Sequence, residues 1–205
     1  HPASPAVQTV PDPFLRRALM GLAMGLTAIT LVYSPWGQQS GAHFNPAVTL
    51  AYAVEGGLGW RDVPGYVVAQ VLGGIAGVAV ADLMFNLPAW TLSTHERTGP
   101  SQWLAEFVAT FGLLATIFGV SRRTPAVTPF AVAAYIVAAY WFTASTSFAN
   151  PAVTLARALT DTFAGIRPTD VPGFVAAQLA GAVAATLLFR WLVPAIAPSS
   201  TGTAS

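Results

Sequence analysis

The sequence contains no cysteine and no lysine, and charged residues make up only 8% of its 205 positions. The absence of cysteine excludes disulfides, thiol catalysis and cysteine-ligated metal sites. A charged fraction about a third of that of a typical soluble domain favours a chain that lies in a lipid bilayer. All nine basic residues are arginine, and the net charge of +1 gives no reason to expect nucleic acid as a partner.

Apolar residues, by contrast, make up 54% of the chain and are gathered in long runs. Five of these runs are long enough to cross a hydrocarbon core as helices. The predicted spans are Phe14–Tyr33, Val63–Phe85, Trp103–Val120, Ala126–Ala144 and Val171–Val193. We therefore predict an all-α membrane protein.

The tripeptide Asn-Pro-Ala occurs twice, as Asn45-Pro46-Ala47 and as Asn150-Pro151-Ala152, and each copy opens a short apolar run. Asn is a preferred N-cap, and Pro fits the first helical position because its missing N–H costs nothing there. The runs Ala47–Val54 and Ala152–Leu159 would give roughly 12 Å of helix, less than half of a hydrocarbon core. The sequence thus predicts two re-entrant half-helices.

A longer repeat surrounds the two tripeptides. Asp62-Val63-Pro64-Gly65 recurs as Asp170-Val171-Pro172-Gly173. Each unit reads as span, half-helix, span, and one extra span lies between the units. Because an odd number of intervening spans inverts the second copy, the half-helices should enter from opposite faces and meet at the midplane.

The repeat also predicts how the chain is divided. We interpret residues 1–205 as a single channel domain, with a surface loop at 1–13, an incomplete first repeat at 14–101, a second repeat at 102–197 and a disordered tail at 198–205. The second unit has an extra span in front of it and the first has none, so five spans are present where the symmetry expects six. We expect an additional apolar span upstream of His1, with a glutamate that matches Glu106.

The predicted midplane site has a simple chemistry. Two half-helix N-termini that face each other place two partial positive charges there, which repel cations but not neutral solutes. If Asn45 and Asn150 cap their helices through oxygen, their side-chain amides are left free as donors toward the lumen. Water that accepts from both amides cannot donate forward along a file, which interrupts proton hopping. Since the site offers no nucleophile, no paired carboxylates and no metal-spaced ligands, we expect neither an enzyme nor a cofactor.

These motifs resemble those of the major intrinsic protein family, the aquaporins and aquaglyceroporins, from Phe14 to Val193. The resemblance implies six spans with two half-helices in the cell membrane. It also implies homotetramers in the lipid bilayer, with one pore per subunit that conducts water and small neutral solutes. Finally, it implies that Glu106 is the buried glutamate that braces the loop of the second motif.

The sequence departs from this family at the selectivity filter. Water-specific members usually carry Arg directly after the second Asn-Pro-Ala, where this chain has Val153. By motif offset the other filter positions would be Ser147, Met24 and either Ala138 or Ala139. Such a filter should be wide and without a cation, so that urea, ammonia, glycerol, hydrogen peroxide or neutral metalloid acids become candidates beside water.

Two other functions remain open from the sequence. One is an ion-coupled secondary transporter, since inverted repeats with broken helices also serve that class. The other is a non-conducting remnant that lacks one wall of the pore.

Three residues also have alternative interpretations. Arg157 either supplies a cation to the outer vestibule or forms an i,i+4 pair with Asp161. His43 is either a gate or a residue that hydrogen-bonds within its loop. Glu106 is either a structural brace or part of a proton relay.

Overall fold

The computed structural model describes residues 4–192, and these residues form helices and connecting segments without a strand. The short helices are α1 (Pro5–Thr9), α3 (Pro35–Ser40), α4 (Pro46–Val54) and α8 (Pro151–Arg157). The long helices are α2 (Pro13–Tyr33), α5 (Val63–Met84), α6 (Pro100–Ser121), α7 (Thr128–Phe142) and α9 (Val171–Leu192). The prediction of an all-helical fold is confirmed.

Five segments within the described residues are long and apolar enough to cross a membrane, and they coincide with the five predicted spans. The fourth is not one continuous α-helix, because a 3₁₀ turn at Pro125–Val127 precedes α7. Pro129 near the start of α7 has no N–H, so a helical hydrogen bond back to the preceding turn is missing at this point, which explains the break.

The two predicted half-helices are α4 and α8. The second ends at Arg157, two residues earlier than expected, with Ala158 as its C-cap. In both, Pro occupies the first helical position after the Asn cap. Each helix therefore begins where the sequence placed its start.

Two short helices lie outside the predicted spans and half-helices. Residues 1–13, which we interpreted as a surface loop, contain α1, and the connection after α2 contains α3. The Ser34 side chain caps α3 by accepting the N–H of Gly37 at 3.0 Å, and Pro35 follows the cap. The predicted tail at 198–205 lies outside the described residues.

In the second unit, α6 and α9 pack closely through small residues on α9. A methyl group added at Gly181 would lie only 2.4 Å from the Phe107 carbonyl oxygen, and one at Gly173 would lie 2.5 Å from the Trp103 ring. The two helix backbones can approach each other because these positions have no side chain. The unit is therefore a tightly packed pair.

In the first unit, the equivalent face of α5 is open. Gly65 and Gly73 occupy the repeat positions of Gly173 and Gly181, yet a methyl group at either would meet nothing within 4 Å. The same holds for Gly77. Within the described residues, no helix takes the place on α5 that α6 takes on α9.

The half-helices lie between the long helices. Buried residues of α4, among them Ala47 and Ala51, share one apolar cluster with Ala109 of α6 and Ala185 of α9. On α8, Ala156 lies against Gly74 of α5, where an added methyl group would be 3.2 Å from its Cβ. This packing brings the two Asn-capped starts together.

Candidate functional site

Asn45 and Asn150 cap their half-helices through their side-chain oxygens. The Oδ1 atom of Asn45 accepts the N–H of Ala47 at 2.9 Å. The Oδ1 atom of Asn150 accepts the N–H groups of Ala152 and Val153 at 3.0 and 3.2 Å. Both side chains therefore point their amide nitrogens away from the helix that they cap.

The two amides form a crossed pair of hydrogen bonds between the motifs. The Nδ2 atom of Asn45 donates to the Ala149 carbonyl at 2.7 Å, and that of Asn150 donates to the Phe44 carbonyl at 2.8 Å. Our expectation of wholly free amides is therefore corrected. Each amide uses one N–H to tie the half-helices head to head, and its second N–H has no acceptor within residues 4–192.

The two acceptor carbonyls belong to residues with left-handed backbones. Phe44 has φ +50° and Ala149 has φ +47°, which is rare for residues other than glycine. Strained conformations of this kind persist where the surrounding contacts enforce them. The sequence analysis did not predict these left-handed backbones. The signal that could have pointed to them is that Phe44 and Ala149 occupy the same position in the repeat, directly before the motif Asn.

Glu106 lies fully buried beneath the second motif. Its carboxylate accepts the N–H groups of Phe148 and Ala149, each at 2.8 Å, and the side-chain amide of Gln178 at 2.6 Å. A carboxylate with three donors is stabilised in its place despite its burial. Glu106 thus fastens the loop before Asn150 to α6 and α9.

The first unit has half of this arrangement. Gln178 donates to the Thr154 hydroxyl at 2.8 Å, and its repeat counterpart Gln70 donates to the Thr49 hydroxyl at the same distance. No carboxylate joins Gln70 within the described residues. Gln70 instead lines an open cavity.

This inner cavity, of about 670 Å³, lies between the end of α2 and the start of α5. It is mainly apolar and reaches the first Asn-Pro-Ala loop. Its lining includes Leu31, Ser40, His43, Phe44, Tyr66, Gln70, Gly73, Ala152 and Val153.

A second cavity, the outer cavity, lies at the opposite side, between the start of α2 and the end of α7. Its volume is about 370 Å³. Its walls combine apolar, hydroxyl and cationic side chains with one carboxylate, that of Glu96, which pairs with Arg167. They include Met20, Met24, Arg97, Tyr140, Thr146 and Arg157.

The four predicted filter residues do not line one cavity. Met24 lies in the outer cavity and Val153 in the inner cavity. Ser147 is half-buried, donates its backbone N–H to the Ser145 hydroxyl at 3.2 Å, and lines neither cavity.

The predicted filter position on α7, Ala138, lines neither cavity. Ala138 is exposed and its alternative Ala139 is buried against the core. Tyr140, two residues further along α7, lines the outer cavity and is separated from Ala138 by about 200° around the helix. The assignment of Ala138 to the filter stays a prediction.

His43 lies in the inner cavity beside two aromatic rings. Its Nδ1 atom is 3.3 Å from the Thr49 hydroxyl, and its ring centroid is 4.9 Å from that of Tyr52 and 5.3 Å from that of Tyr66. Of the two interpretations of His43, a gate or a residue that hydrogen-bonds locally, these contacts fit the second.

Two guanidinium groups flank the Phe148 ring at the outer side. The Cζ atom of Arg97 is 4.8 Å from the ring centroid and that of Arg157 is 4.3 Å from it. Arg97 is a residue that sequence reasoning missed. It donates to the carbonyls of Ser145, Phe163 and Gly165, and so ties the connection before α6 to the segments on both sides of α8.

The alternative ion pair between Arg157 and Asp161 does not form within the described residues. Asp161 lies beyond the end of α8 and accepts instead from the Thr94 N–H at 2.8 Å and the Thr94 hydroxyl at 3.0 Å. These two bonds lower the pKa of Asp161 below its ordinary value. Arg157 thus keeps its charge toward the outer cavity without a carboxylate beside it.

A family model and individual relatives both match this chain and indicate the same family. The family model described as major intrinsic protein matches residues 15–134 and 124–204. The aquaglyceroporin AqpS of Rhizobium meliloti (strain 1021) is 56% identical over 177 residues, which cover 86% of this chain and 76% of AqpS.

Two plant proteins show lower similarity over shorter parts of their length. Aquaporin NIP1-2 of Arabidopsis thaliana is 38% identical over 134 residues, covering 61% of this chain and 45% of the plant protein. Aquaporin NIP1-3 of Oryza sativa subsp. japonica is 37% identical over 170 residues, covering 80% and 58%. The chain therefore spans about half the length of these two relatives.

Proposed function

The chain belongs to the major intrinsic protein family, and from this premise we propose that it is a passive channel for water and small uncharged solutes. It is a multi-pass plasma-membrane protein with five apolar spans within its described residues. The observation that carries the proposal is the pair of Asn-capped half-helices joined head to head by the amides of Asn45 and Asn150.

The physical argument rests on charge at the junction of α4 and α8. Each helix N-terminus carries a partial positive charge, and here two such ends meet. A cation that passes between them is repelled and must also lose its hydration, whereas a neutral solute avoids the repulsion. The remaining amide N–H of each Asn offers a donor to an oxygen in transit.

The proposed solutes include molecules larger than water. Val153 provides methyl groups where an Arg would provide bulk and five donors, and Met24 in the outer cavity adds no charge. The similarity to an aquaglyceroporin supports passage of glycerol. Because Val153 adds neither charge nor an Arg side chain's bulk, urea, ammonia, hydrogen peroxide and neutral metalloid acids are further candidates.

A swelling assay tests this proposal. Liposomes that contain the purified protein would be mixed rapidly with solutions that impose a gradient of osmotic pressure, of glycerol or of urea. The change in liposome volume would be followed by light scattering and compared with that of protein-free liposomes. We expect permeability above background for water and at least one larger solute. Permeability at background for every solute would contradict the proposal, and permeability to water alone would contradict the wide filter.

We also propose that a further helix completes the first repeat on the open face of α5. Its position would match that of α6 on α9, and a carboxylate on it would match Glu106. Gln70 supports this through its amide nitrogen, which donates to the Thr49 hydroxyl and to no carboxylate within the described residues. The amide of its counterpart Gln178 donates both to the Thr154 hydroxyl and to Glu106. The apolar lining of the inner cavity suits a helix that is itself apolar.

The absence of cysteine allows a direct test of this helix. The variant Gly73→Cys carries one thiol on the open face, and a bulky maleimide should label it in the 205-residue chain. We expect protection of the same thiol in the product of the gene that includes sequence upstream of His1. Equal labelling of both proteins would contradict the proposed helix.

We further propose that four copies assemble, each with its own pore, as the family resemblance implies. Apolar side chains exposed on the long helices, such as Leu72 and Leu187, suit contact with lipid or another copy. Native mass spectrometry in detergent should show four copies, and a monomer under conditions that preserve flux would contradict the assembly.

A further inference from the structure

Arg157 lines the outer cavity. It is the last residue of α8 and follows Val153 by one helical turn. Besides the outer cavity, it lines a neighbouring cavity of about 650 Å³ beside the end of α5. Its side chain therefore stands at a boundary between two open spaces.

Arg157 and Arg97 differ in what their guanidinium groups contact. Arg97 donates to three backbone carbonyls, at distances from 2.7 to 3.1 Å. Arg157 packs over the Phe148 ring, and within residues 4–192 it has neither a carboxylate partner nor a hydrogen-bond acceptor. Arg97 is thus a structural cation, while the N–H donors of Arg157 remain available to the cavity.

Resting on the proposed channel function, we infer that Arg157 is the specificity-determining cation of this pore. Its charge excludes cations at the outer cavity, and its planar donors hold the hydroxyl oxygens of uncharged polyols and oxyacids. It therefore supplies, one turn further along α8, the charge that Val153 lacks. The Phe148 ring, 4.3 Å from the Arg157 Cζ atom, keeps the guanidinium in place.

This position separates charge selectivity from pore width. A guanidinium at residue 153 would enter the space beside Asn150, whereas Arg157 lines the outer cavity one turn further along α8. The pore can consequently be wide enough for a polyol and still carry a fixed positive charge. A cation that enters meets Arg157 before it reaches the half-helix junction.

The test compares three single variants in liposomes. Arg157→Gln removes the charge, Arg157→Lys keeps the charge but loses the planar group of donors, and Arg123→Gln removes the same charge from the exposed turn on the far side of the membrane. Potassium leak and glycerol permeability would be measured in the same preparations. The amount of folded protein would be matched by its elution in gel filtration.

We expect the potassium leak of Arg157→Gln to rise roughly tenfold, as Coulomb repulsion at about 10 Å in a partly polar environment predicts. Arg157→Lys should keep the low leak and lose glycerol permeability, and Arg123→Gln should behave as the unmodified protein. An unchanged leak in Arg157→Gln, or an equal leak in Arg123→Gln, would overturn the inference while leaving the channel function intact. An unmodified protein without solute flux would overturn both.

Discussion

Glu106 connects three parts of the molecule through a single side chain. Its carboxylate accepts from two backbone N–H groups of the second loop and from Gln178 of α9. The variant Glu106→Gln places an amide where donors already point, so that at least one N–H loses its acceptor. Since bonds to a charged group contribute about 1.5–3 kcal/mol each, we expect a loss of about 3 kcal/mol in the free energy of unfolding.

Chemical unfolding in detergent, followed by tryptophan fluorescence, measures this loss. Glu96→Gln is the matched control, because Glu96 is exposed and its pair with Arg167 is a surface salt bridge. Such a pair contributes at most about 1 kcal/mol. Equal losses in the two variants would show that Glu106 does not brace the loop.

Val153 gives a second prediction for a single residue. In Val153→Arg, a long cationic side chain enters the space beside Asn150 and the lining of the inner cavity. A barrier raised by about 1.4 kcal/mol slows passage roughly tenfold, and we expect at least that loss for glycerol with a smaller loss for water. Both permeabilities are measured in one liposome preparation. Equal fractional losses would indicate general damage, and no change would place residue 153 away from the path.

At the scale of helices, the glycines of α5 and α9 provide a matched pair. Gly181→Ala places a methyl group 2.4 Å from the Phe107 carbonyl oxygen, whereas Gly73→Ala places it in open space. Overpacking typically costs about 1–3 kcal/mol, while Ala in an unhindered helix gains up to about 1 kcal/mol over Gly. We expect opposite shifts of the unfolding midpoint in the 205-residue chain. Shifts of the same sign would contradict the difference in packing between the two units.

The same helices show which parts of the structure could be predicted from the sequence. Asn-Pro pairs and apolar runs placed the starts of α4 and α8 and the five spans, because caps and hydrophobic length act locally. The crossed hydrogen bonds of Asn45 and Asn150 join residues more than a hundred positions apart, and no local rule contains them. The short helix α3 was missed because its cap, Ser34, follows directly on the end of α2.

The filter position on α7 cannot be derived from local rules either. Ala138 was counted back from Asn150, and Thr146, Ser147 and Ala149 in the intervening segment have positive φ. A shift of one residue on a helix turns a side chain by about 100°, so a count through such a segment does not fix which residue of α7 faces the pore. Ala138 therefore stays a prediction, and Tyr140 is the α7 residue that lines the outer cavity.

For the whole molecule, the groups at the half-helix junction favour a channel over a coupled transporter. Within residues 4–192, the junction between the half-helices is formed by Asn side chains and backbone groups, and the carboxylate of Glu106 accepts three hydrogen bonds beneath the second loop. A coupled transporter needs a group that binds the driving ion and changes with it. Passage through this junction should therefore depend only on the gradient of the solute.

The most direct measurement of this claim is glycerol uptake into liposomes under three conditions. The first has no ion gradient, the second has an imposed proton gradient and the third has an imposed sodium gradient, and internal pH is recorded throughout. We predict the same initial rate of glycerol uptake in all three, with no proton movement above that of protein-free liposomes. A rate that requires either ion gradient, or protons that move together with glycerol, would contradict the account.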